Sequence, residues 1–304
     1  MPKRRHGLQK PALLLTLGIV LLSATNSHHG VRLPTRASKP LSVALIFYGL
    51  TRSLSKTAPT IHANIFGVLR AHNINFDVHV HAVQFWGEYS NPRNGELSVS
   101  LNNSEWKLLH PDYISHTEHT EFLSVHRELI NRVLSHGDPH ANGGLSTRNE
   151  LEALHSMKIA ASGATESGKK YDGMMILRPD LKYVDPVDLA SFIWAVEHDA
   201  VVTPAWQQWA GENDRFSFGS WRGMLEISTR FDRVLDFCKQ TGSAWHAEKF
   251  LSWEIRRILK SKQASLHCRT NQKAVRVRAN GNEHNEDFSV RASDVMQSCM
   301  KTVT

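Results

Sequence analysis

A charged pair closes a strongly apolar stretch in the middle of the chain. The run Gly173–Leu177 (GMMIL) is apolar enough for a buried strand, and Arg178, Pro179 and Asp180 follow it directly. Pro179 lacks an N–H and favours an extended backbone at Arg178, so strand pairing ends there. A guanidinium at such a point can hold phosphate oxygens, and a carboxylate can hold Mn²⁺ or Mg²⁺ through oxygen. The plainer alternative is an ion pair between Arg178 and Asp180.

A second strand end carries small and charged residues of the same kind. The first predicted strand, residues 42–47, is followed by Gly49, Thr51 and Arg52. Ligands of open α/β sheets bind beyond the carboxyl ends of the strands, so residues from several strand ends meet at one edge. A nucleoside diphosphate needs small residues that allow close approach, guanidinium groups that bind its phosphates and a carboxylate that holds a metal. The two strand ends supply all three, so the sequence predicts a site for such a ligand.

The pattern of apolar residues predicts the elements that position these groups. A strand, an amphipathic helix and a second strand follow one another within about forty residues, which indicates a parallel βαβ unit. The fold class is therefore α/β, a Rossmann-like, mostly parallel sheet flanked by helices, with an irregular insertion at about 85–144. Strands are predicted at 42–47, 76–83, 173–177, 200–203, 216–218 and 274–278, and helices at 59–71, 121–134, 149–161, 187–196, 224–239 and 247–259.

The net charge of the chain is concentrated at its N-terminus. The chain has 304 residues and a formal charge of +7, and residues 1–40 contain seven Lys and Arg but no Asp or Glu. The remainder is therefore balanced in charge. A protein that binds a phosphate backbone needs surplus cations on its folded part, so we expect no nucleic-acid partner.

The N-terminus has the layout of a targeting segment. Lys3, Arg4 and Arg5 precede an uncharged apolar stretch at residues 11–24. This stretch is short for a spanning helix, which needs about 17–25 residues, and Leu22 is large for a cleavage site. Retention as a type II anchor in the Golgi or ER membrane, with a lumenal body, and cleavage with secretion both remain open. The predicted parts are a cytoplasmic basic tail (1–10), a signal anchor or signal peptide (11–27), a stem (28–40) and a catalytic domain (41–304).

Three cysteines and one glycosylation sequon fit a secretory setting. One disulfide and one free thiol are possible, and we predict that Cys268 pairs with Cys299 and leaves Cys238 free. Asn102 begins the triplet Asn-Asn-Ser in a polar stretch where a glycan could be attached.

Six stretches of the chain form a recognisable set. They are VALIFYGLTRSL, YDGMMILRPDLKYVDP, VVTPAW, GENDRFSFGS, AEKFLSWEI and VRVRANG. In order and approximate spacing this set resembles a group of eukaryotic and viral nucleotide-sugar-dependent glycosyltransferase-like proteins. The resemblance covers residues 42–281, and the segment 85–144 matches least.

The resemblance implies a GT-A type fold and a Golgi-type enzyme that moves a sugar from a nucleotide-sugar donor to a glycan or glycoprotein acceptor. Asp214 or Glu248 would then be the carboxylate base that takes the acceptor proton. The indoles of Trp206 and Trp209, beside Asn213, would hold the acceptor. The residues expected to bind the donor are Gly49, Thr51, Arg52, Arg178, Asp180 and Arg276.

The chain departs from this family at the metal motif. The usual motif is Asp-x-Asp after the middle strand, whereas Arg178 stands here in place of the first aspartate and Asp180 keeps the second position. Asp180 is the expected ligand of Mn²⁺ or Mg²⁺, but Arg178 could neutralise the diphosphate instead. Two other functions remain open: a non-catalytic glycan- or nucleotide-sugar-binding protein of the same fold, and a different nucleotide-using enzyme on a doubly wound sheet.

Overall fold

A central strand with an almost unbroken apolar sequence organises the fold. Strand β1 (Ser42–Gly49) is buried along its whole length except for its first residue. Its side chains alternate between two cores, with Val43 and Leu45 on one face of the sheet and Ala44 and Ile46 on the other. A strand that is covered by helices on both faces needs this continuous apolar sequence.

The computed structural model describes residues 39–290. The strands in this range are β1, β2 (Asn75–Gln84), β3 (Glu88–Asn91), β4 (Glu96–Ser100), β5 (Tyr113–Glu118), β6 (Gly173–Leu177), β7 (Leu181–Tyr183), β8 (Ala200–Pro204), β9 (Ser217–Ser220), β10 (Leu266–Thr270) and β11 (Ala274–Arg276). The helices in this range are α1 (Leu54–Ile61), α2 (Gly67–Ala71), α3 (His119–Val125), α4 (Arg127–Leu134), α5 (Leu145–Glu166), α6 (Leu189–Glu197), α7 (Trp221–Ser228), α8 (Val234–Thr241) and α9 (Ala247–Lys260).

The strands confirm the predicted α/β class. In the described part of the chain, seven strands form one sheet in the order β10-β8-β9-β6-β1-β2-β5. Strand β1 is parallel to both β2 and β6, and β9 is antiparallel to its neighbours β6 and β8. The predicted parallel βαβ unit is thus present, with α1 and α2 connecting β1 to β2. Helices pack against both faces of the sheet.

Several element boundaries differ from those predicted. The helix expected at 59–71 begins earlier, at Leu54, and Pro59 lies inside it. The helices expected at 121–134 and 224–239 are each divided, the second by a 3₁₀ turn at Arg230–Arg233. Strands β3, β4, β5, β7 and β10 were not predicted.

The insertion at 85–144 contributes to the main sheet as well as to the surface. Its first part is the hairpin of β3 and β4, and its middle part is β5, which pairs in parallel with the edge of β2. The short helices α3 and α4 complete it.

Several predictions fall on residues outside the described range. The basic tail, the signal segment, nearly all of the stem and Cys299 lie outside residues 39–290. Among the described residues, no helix is both long and apolar enough to cross a membrane. Cys268 takes part in a disulfide and Cys238 is a buried free cysteine. Asn102 is exposed, and the Ser104 hydroxyl donates a hydrogen bond to its side-chain oxygen (2.9 Å).

Candidate active site

The strand order reverses between β1 and β6, and a cavity lies at that point. The chain leaves β1 for β2 on one side and later returns to β6 on the other. Gly49 ends β1, Arg178 follows β6, and both line a cavity of about 460 Å³. A ligand crevice outside the carboxyl ends of the strands is the expected position for this topology.

The cavity wall brings together eight of the residues that the sequence singled out. They come from two strand ends, the loop after β8, the first turn of α9 and the strand β11. These residues are Gly49, Arg52, Arg178, Asp180, Trp209, Asp214, Glu248 and Arg276.

Asp180 is held between two arginines. Arg178 Nε donates to Asp180 Oδ1 (2.9 Å) and Arg178 Nη2 donates to Asp180 Oδ2 (2.8 Å), which makes a bidentate pair. Arg52 Nη2 donates to the same Oδ2 (3.1 Å). Burial alone would raise the pKa of Asp180, but the guanidinium groups of Arg178 and Arg52 outweigh it and hold the pKa well below its usual range. Asp180 is therefore a buried carboxylate with both oxygens occupied.

The residues around Asp180 do not fit a divalent cation. A metal on this carboxylate would compete with three guanidinium hydrogen bonds and lie beside two positive charges. Within residues 39–290 there is also no group of three or more His, Cys, Asp or Glu side chains placed to hold a metal ion. The expected Mn²⁺ or Mg²⁺ site on Asp180 is thus not supported by its surroundings.

The end of β1 is fixed by a buried polar network. The N–H of Gly49 donates to Ser156 Oγ (2.7 Å), and Ser156 in turn donates to the carbonyl of His81 (2.9 Å). The φ angle of Gly49 is +90°, a conformation that side chains with a Cβ rarely adopt. The backbone therefore turns sharply at the cavity wall, and α5 and β2 hold it in place.

Glu248 is a carboxyl group of the cavity wall with a raised pKa. It lies in the first turn of α9, is buried, and accepts a hydrogen bond from the N–H of Ala210 (2.9 Å). Burial, and then the negative charge of Asp214, raise the pKa of Glu248 to about 7. A carboxyl group with such a pKa can accept a proton and also release it at physiological pH.

Asp214 lies in the same part of the cavity but is paired with a cation. Arg215 Nη1 is 3.8 Å from Asp214 Oδ1, and Arg215 Nη2 is 3.4 Å from Glu286 Oε2. Trp209, in the same loop, is 73% exposed at the cavity wall.

Three residues that the sequence singled out lie away from the cavity wall. Trp206 is buried and its indole N–H donates to the carbonyl of Gln272 (2.8 Å). Asn213 is buried and its side-chain amide donates to the carbonyl of Trp206 (2.6 Å). Thr51 is buried, and its carbonyl accepts the N–H of Leu54 at the start of α1. These residues shape the loops that carry the site.

Two arginines of the C-terminal segment face the cavity. Arg276 is the last residue of β11, and Arg278 lies two residues further on. Neither side chain makes a hydrogen bond or ion pair with another residue in the described range, and the Nε of Arg276 is buried without an acceptor. Their charges are therefore available to a ligand.

Other residues of the wall were not among the predicted site residues. Several come from the segment 85–144 or from the start of α5, where apolar periodicity gives no indication of a site. Arg215 follows the predicted Asp214 directly, and Arg278 shares a face of the predicted strand 274–278 with Arg276, so the sequence indicates both positions. Examples of such wall residues are Tyr89, Arg93, His140, Glu150, Arg215 and Arg278.

Comparison with known proteins gives distant structural likenesses. No family model matches the chain, and no curated protein matches it. Solved structures similar to it include mouse xyloside xylosyltransferase 1 in its apo form, with 12% identity over 76% of this chain and 85% of that chain, and a TM-score of 0.35. Another is an active-site mutant of LgtC, with 11% identity over 75% of this chain and 72% of that chain, also at a TM-score of 0.35.

Proposed function

We propose that the chain is a glycosyltransferase of the GT-A type that takes its sugar from a nucleotide-sugar donor. One observation carries the proposal: a single cavity at the strand ends holds several guanidinium groups and, on another part of its wall, a buried carboxyl group with a pKa of about 7. The guanidinium groups suit an anionic leaving group, and the carboxyl group suits removal of a proton from a hydroxyl acceptor.

The donor would lie with its diphosphate against the ends of β1 and β6. Gly49 leaves room at the end of β1 because a Cβ added there would meet nothing within 4 Å. Arg52, Arg178 and Arg276 supply the positive charge of this part of the wall. Fixed guanidinium groups stabilise the negative charge that develops on a departing diphosphate, and this lowers the barrier to transfer.

Glu248 is the base of the proposed reaction. The acceptor hydroxyl oxygen forms a bond to the anomeric carbon while the bond from that carbon to the diphosphate oxygen breaks. The electron pair leaves with the diphosphate, and the acceptor proton passes to Glu248. We prefer Glu248 to Asp214 because Asp214 already has Arg215 as a counter-ion. Exposed Trp209 offers an indole face to a sugar acceptor at the mouth of the cavity.

The test combines donor binding with turnover. The purified full chain is screened by thermal shift against a panel of nucleotide sugars, and transfer and donor hydrolysis are measured with each donor that stabilises it. We expect kcat/KM to rise with pH through about 7 as Glu248 loses its proton. We expect Glu248→Gln to keep the thermal shift and to reduce turnover by roughly 10²-fold or more. Full turnover in this variant, or no stabilisation by any nucleotide sugar, would contradict the proposal.

The hydrogen bonds that Asp180 accepts from two arginines favour a second candidate function. Because both oxygens of this carboxylate are held by arginines, the site has anion-binding groups without the usual metal motif. Such anion-binding groups are sufficient for a non-catalytic glycan- or nucleotide-sugar-binding protein of the same fold. Stabilisation by a nucleotide sugar without hydrolysis or transfer, in the presence and absence of Mn²⁺, would favour this second function.

The secretory location also remains a proposal. It rests on the basic tail and the apolar stretch of residues 1–24. Expression of the full chain in eukaryotic cells, followed by a protease-protection assay on membranes, distinguishes a lumenal body from a cytosolic one.

A further inference from the structure

Arg278 is a buried cation without a counter-ion at hydrogen-bond distance. Only 6% of the residue is exposed, and it lines the cavity. Its side chain has no hydrogen bond or ion pair with any other residue between 39 and 290. Long side chains with a full charge are almost never buried in this way unless they are paired. The arrangement therefore indicates a site for an anion.

We propose that Arg278, together with Arg276, binds the diphosphate of the donor, and that this binding requires no divalent cation. The inference rests on the proposed function for the identity of the anion. It goes beyond that function in assigning Arg278 and in replacing the metal with arginine.

The backbone around Arg278 is held rigidly next to the strand ends. The N–H of Val277 donates to the carbonyl of Asp180 (2.8 Å), and the hydroxyl of Ser53 donates to the carbonyl of Val277 (2.8 Å). On the other side of Arg278, the N–H of Ala279 donates to Glu96 Oε1 (2.7 Å). The backbone that carries Arg278 is thus held in place before an anion arrives, which reduces the entropy lost on binding.

The charges near Arg278 leave a positive surplus. The charged groups that act on it are Arg52, Glu96, Asp180 and Arg178. Arg276 lies on the same cavity wall. Counted with Arg276 and Arg278 itself, the set contains four cations and two carboxylates. Burial, and then the charge of Arg52, lower the pKa of Arg278, which shows that its surroundings disfavour the cation. A diphosphate that carries one negative charge on each phosphate would relieve this repulsion.

A metal would add to the repulsion instead of relieving it. Mn²⁺ or Mg²⁺ would need carboxylate oxygens, and those of Asp180 accept from Arg178 and Arg52. Arginine is suited to the role because its planar group can donate two parallel hydrogen bonds to phosphate oxygens. When the bond to the sugar breaks, these hydrogen bonds stabilise the charge on the departing diphosphate.

The experiment measures binding of UDP and GDP to the purified full chain by calorimetry, with EDTA and with Mn²⁺. We expect at least one of them to bind with the same Kd in both conditions. Arg278→Gln and Arg276→Gln should each weaken that binding roughly tenfold or more, because each removes charged hydrogen bonds. Arg256→Gln is the matched control, since Arg256 is exposed on α9 and its loss changes the net charge equally.

Stability separates a binding role of Arg278 from a structural one. If Arg278 is an unpaired buried cation kept for binding, Arg278→Gln should raise the Tm of the unliganded protein while it weakens binding. A residue needed only for folding would lower the Tm. Arg278→Lys keeps the positive charge but loses the planar guanidinium group that can donate two parallel hydrogen bonds. We expect this variant to bind UDP or GDP more weakly than the wild type does.

The possible failures are distinguishable. Binding that appears only with Mn²⁺, or an unchanged Kd in Arg278→Gln, overturns the inference and leaves the proposed transfer reaction standing. Metal-independent binding that needs Arg278, without transfer or hydrolysis of any nucleotide sugar, supports the inference and contradicts the proposed reaction. No binding of UDP or GDP in either condition overturns the inference.

Discussion

Opposing effects act on the pKa of Glu248. It lies in the first turn of α9, where the helix dipole favours a negative charge, and the N–H of Ala210 donates to it. Burial and the nearby charge of Asp214 act in the opposite direction and prevail, so that its pKa is about 7. The chain therefore keeps at its cavity a carboxyl group that is less stable when charged than an ordinary glutamate.

This raised pKa has a consequence for stability. Between the ordinary pKa of 4.5 and about 7, folded Glu248 keeps a proton that the unfolded chain releases. The stability that it contributes is present below pH 4.5 and is lost as the pH rises through 7. Glu248→Gln cannot ionise and should escape this loss. We expect the variant to be more stable than the wild type by on the order of 2 kcal/mol at pH 8, with little difference at pH 4.5.

Chemical denaturation of both proteins over this pH range checks the prediction. Asp236→Asn, in the first turn of α8, controls for the loss of an acidic group near a helix start outside the cavity wall. A stability difference that does not change with pH would mean that Glu248 ionises as an ordinary carboxyl group.

At the scale of elements, the loop after β8 packs closely against the start of α9. Gly211 approaches so closely that a Cβ added to it would lie 2.2 Å from the carbonyl oxygen of Glu248 and 2.6 Å from Ser252 Oγ. The N–H of Glu212 donates to the same Ser252 Oγ (2.7 Å). This contact joins the loop that carries Trp209 to the helix that carries Glu248.

Gly211→Ala should therefore disturb the position of Glu248. The new methyl group would force the loop and the first turn of α9 apart, at a cost of about 1–3 kcal/mol. We expect a lower free energy of unfolding and a loss of turnover larger than the loss of folded protein. Gly163→Ala, within α5, is the control, because an added Cβ there meets only His79 Nδ1 of β2 at an ordinary distance of 3.9 Å and should be neutral or stabilising. Wild-type turnover in Gly211→Ala would show that the contact does not position Glu248 for the proposed reaction.

The elements also show what the sequence could and could not predict. Strands β1, β6 and β8 were predicted because they are buried on both faces and read as apolar runs. Strands β5 and β10 lie at the two edges of the sheet and contain mostly partly exposed or polar residues, so they carry no apolar signal. The missed strands are those that the periodicity of apolar residues cannot reveal.

A similar physical reason explains which site residues could be predicted from the sequence and which could not. Gly49 and Arg178 stand directly at strand ends, and the rule for ligand crevices brings such positions to one edge. Trp206 and Asn213 belong to a long loop whose path depends on its own hydrogen bonds, and these turn both side chains inward. A sequence shows which residues a loop contains, but the direction of each side chain depends on contacts with distant parts of the chain.

At the scale of the whole molecule, one buried carboxylate links three distant segments. Glu96, at the start of β4, is completely buried. Its Oε1 accepts the N–H of Ala279, and its Oε2 is 3.5 Å from Arg52 Nη1. The insertion hairpin, the loop after β1 and the segment after β11 therefore meet at this side chain, beside the cavity.

Removing this link should weaken folding and ligand binding together. Glu96→Ala leaves the amide of Ala279 without its acceptor and takes one of two counter-ions from Arg52, so we expect a loss of roughly 2–3 kcal/mol in the free energy of unfolding. Because Ala279 is next to Arg278, the variant should also show a smaller thermal shift with UDP or GDP than the wild type. Glu88→Ala, at an exposed position of the same hairpin, should change neither quantity. If Glu96→Ala and Glu88→Ala behave alike in both measurements, the hairpin is a surface addition and the cavity is assembled without it.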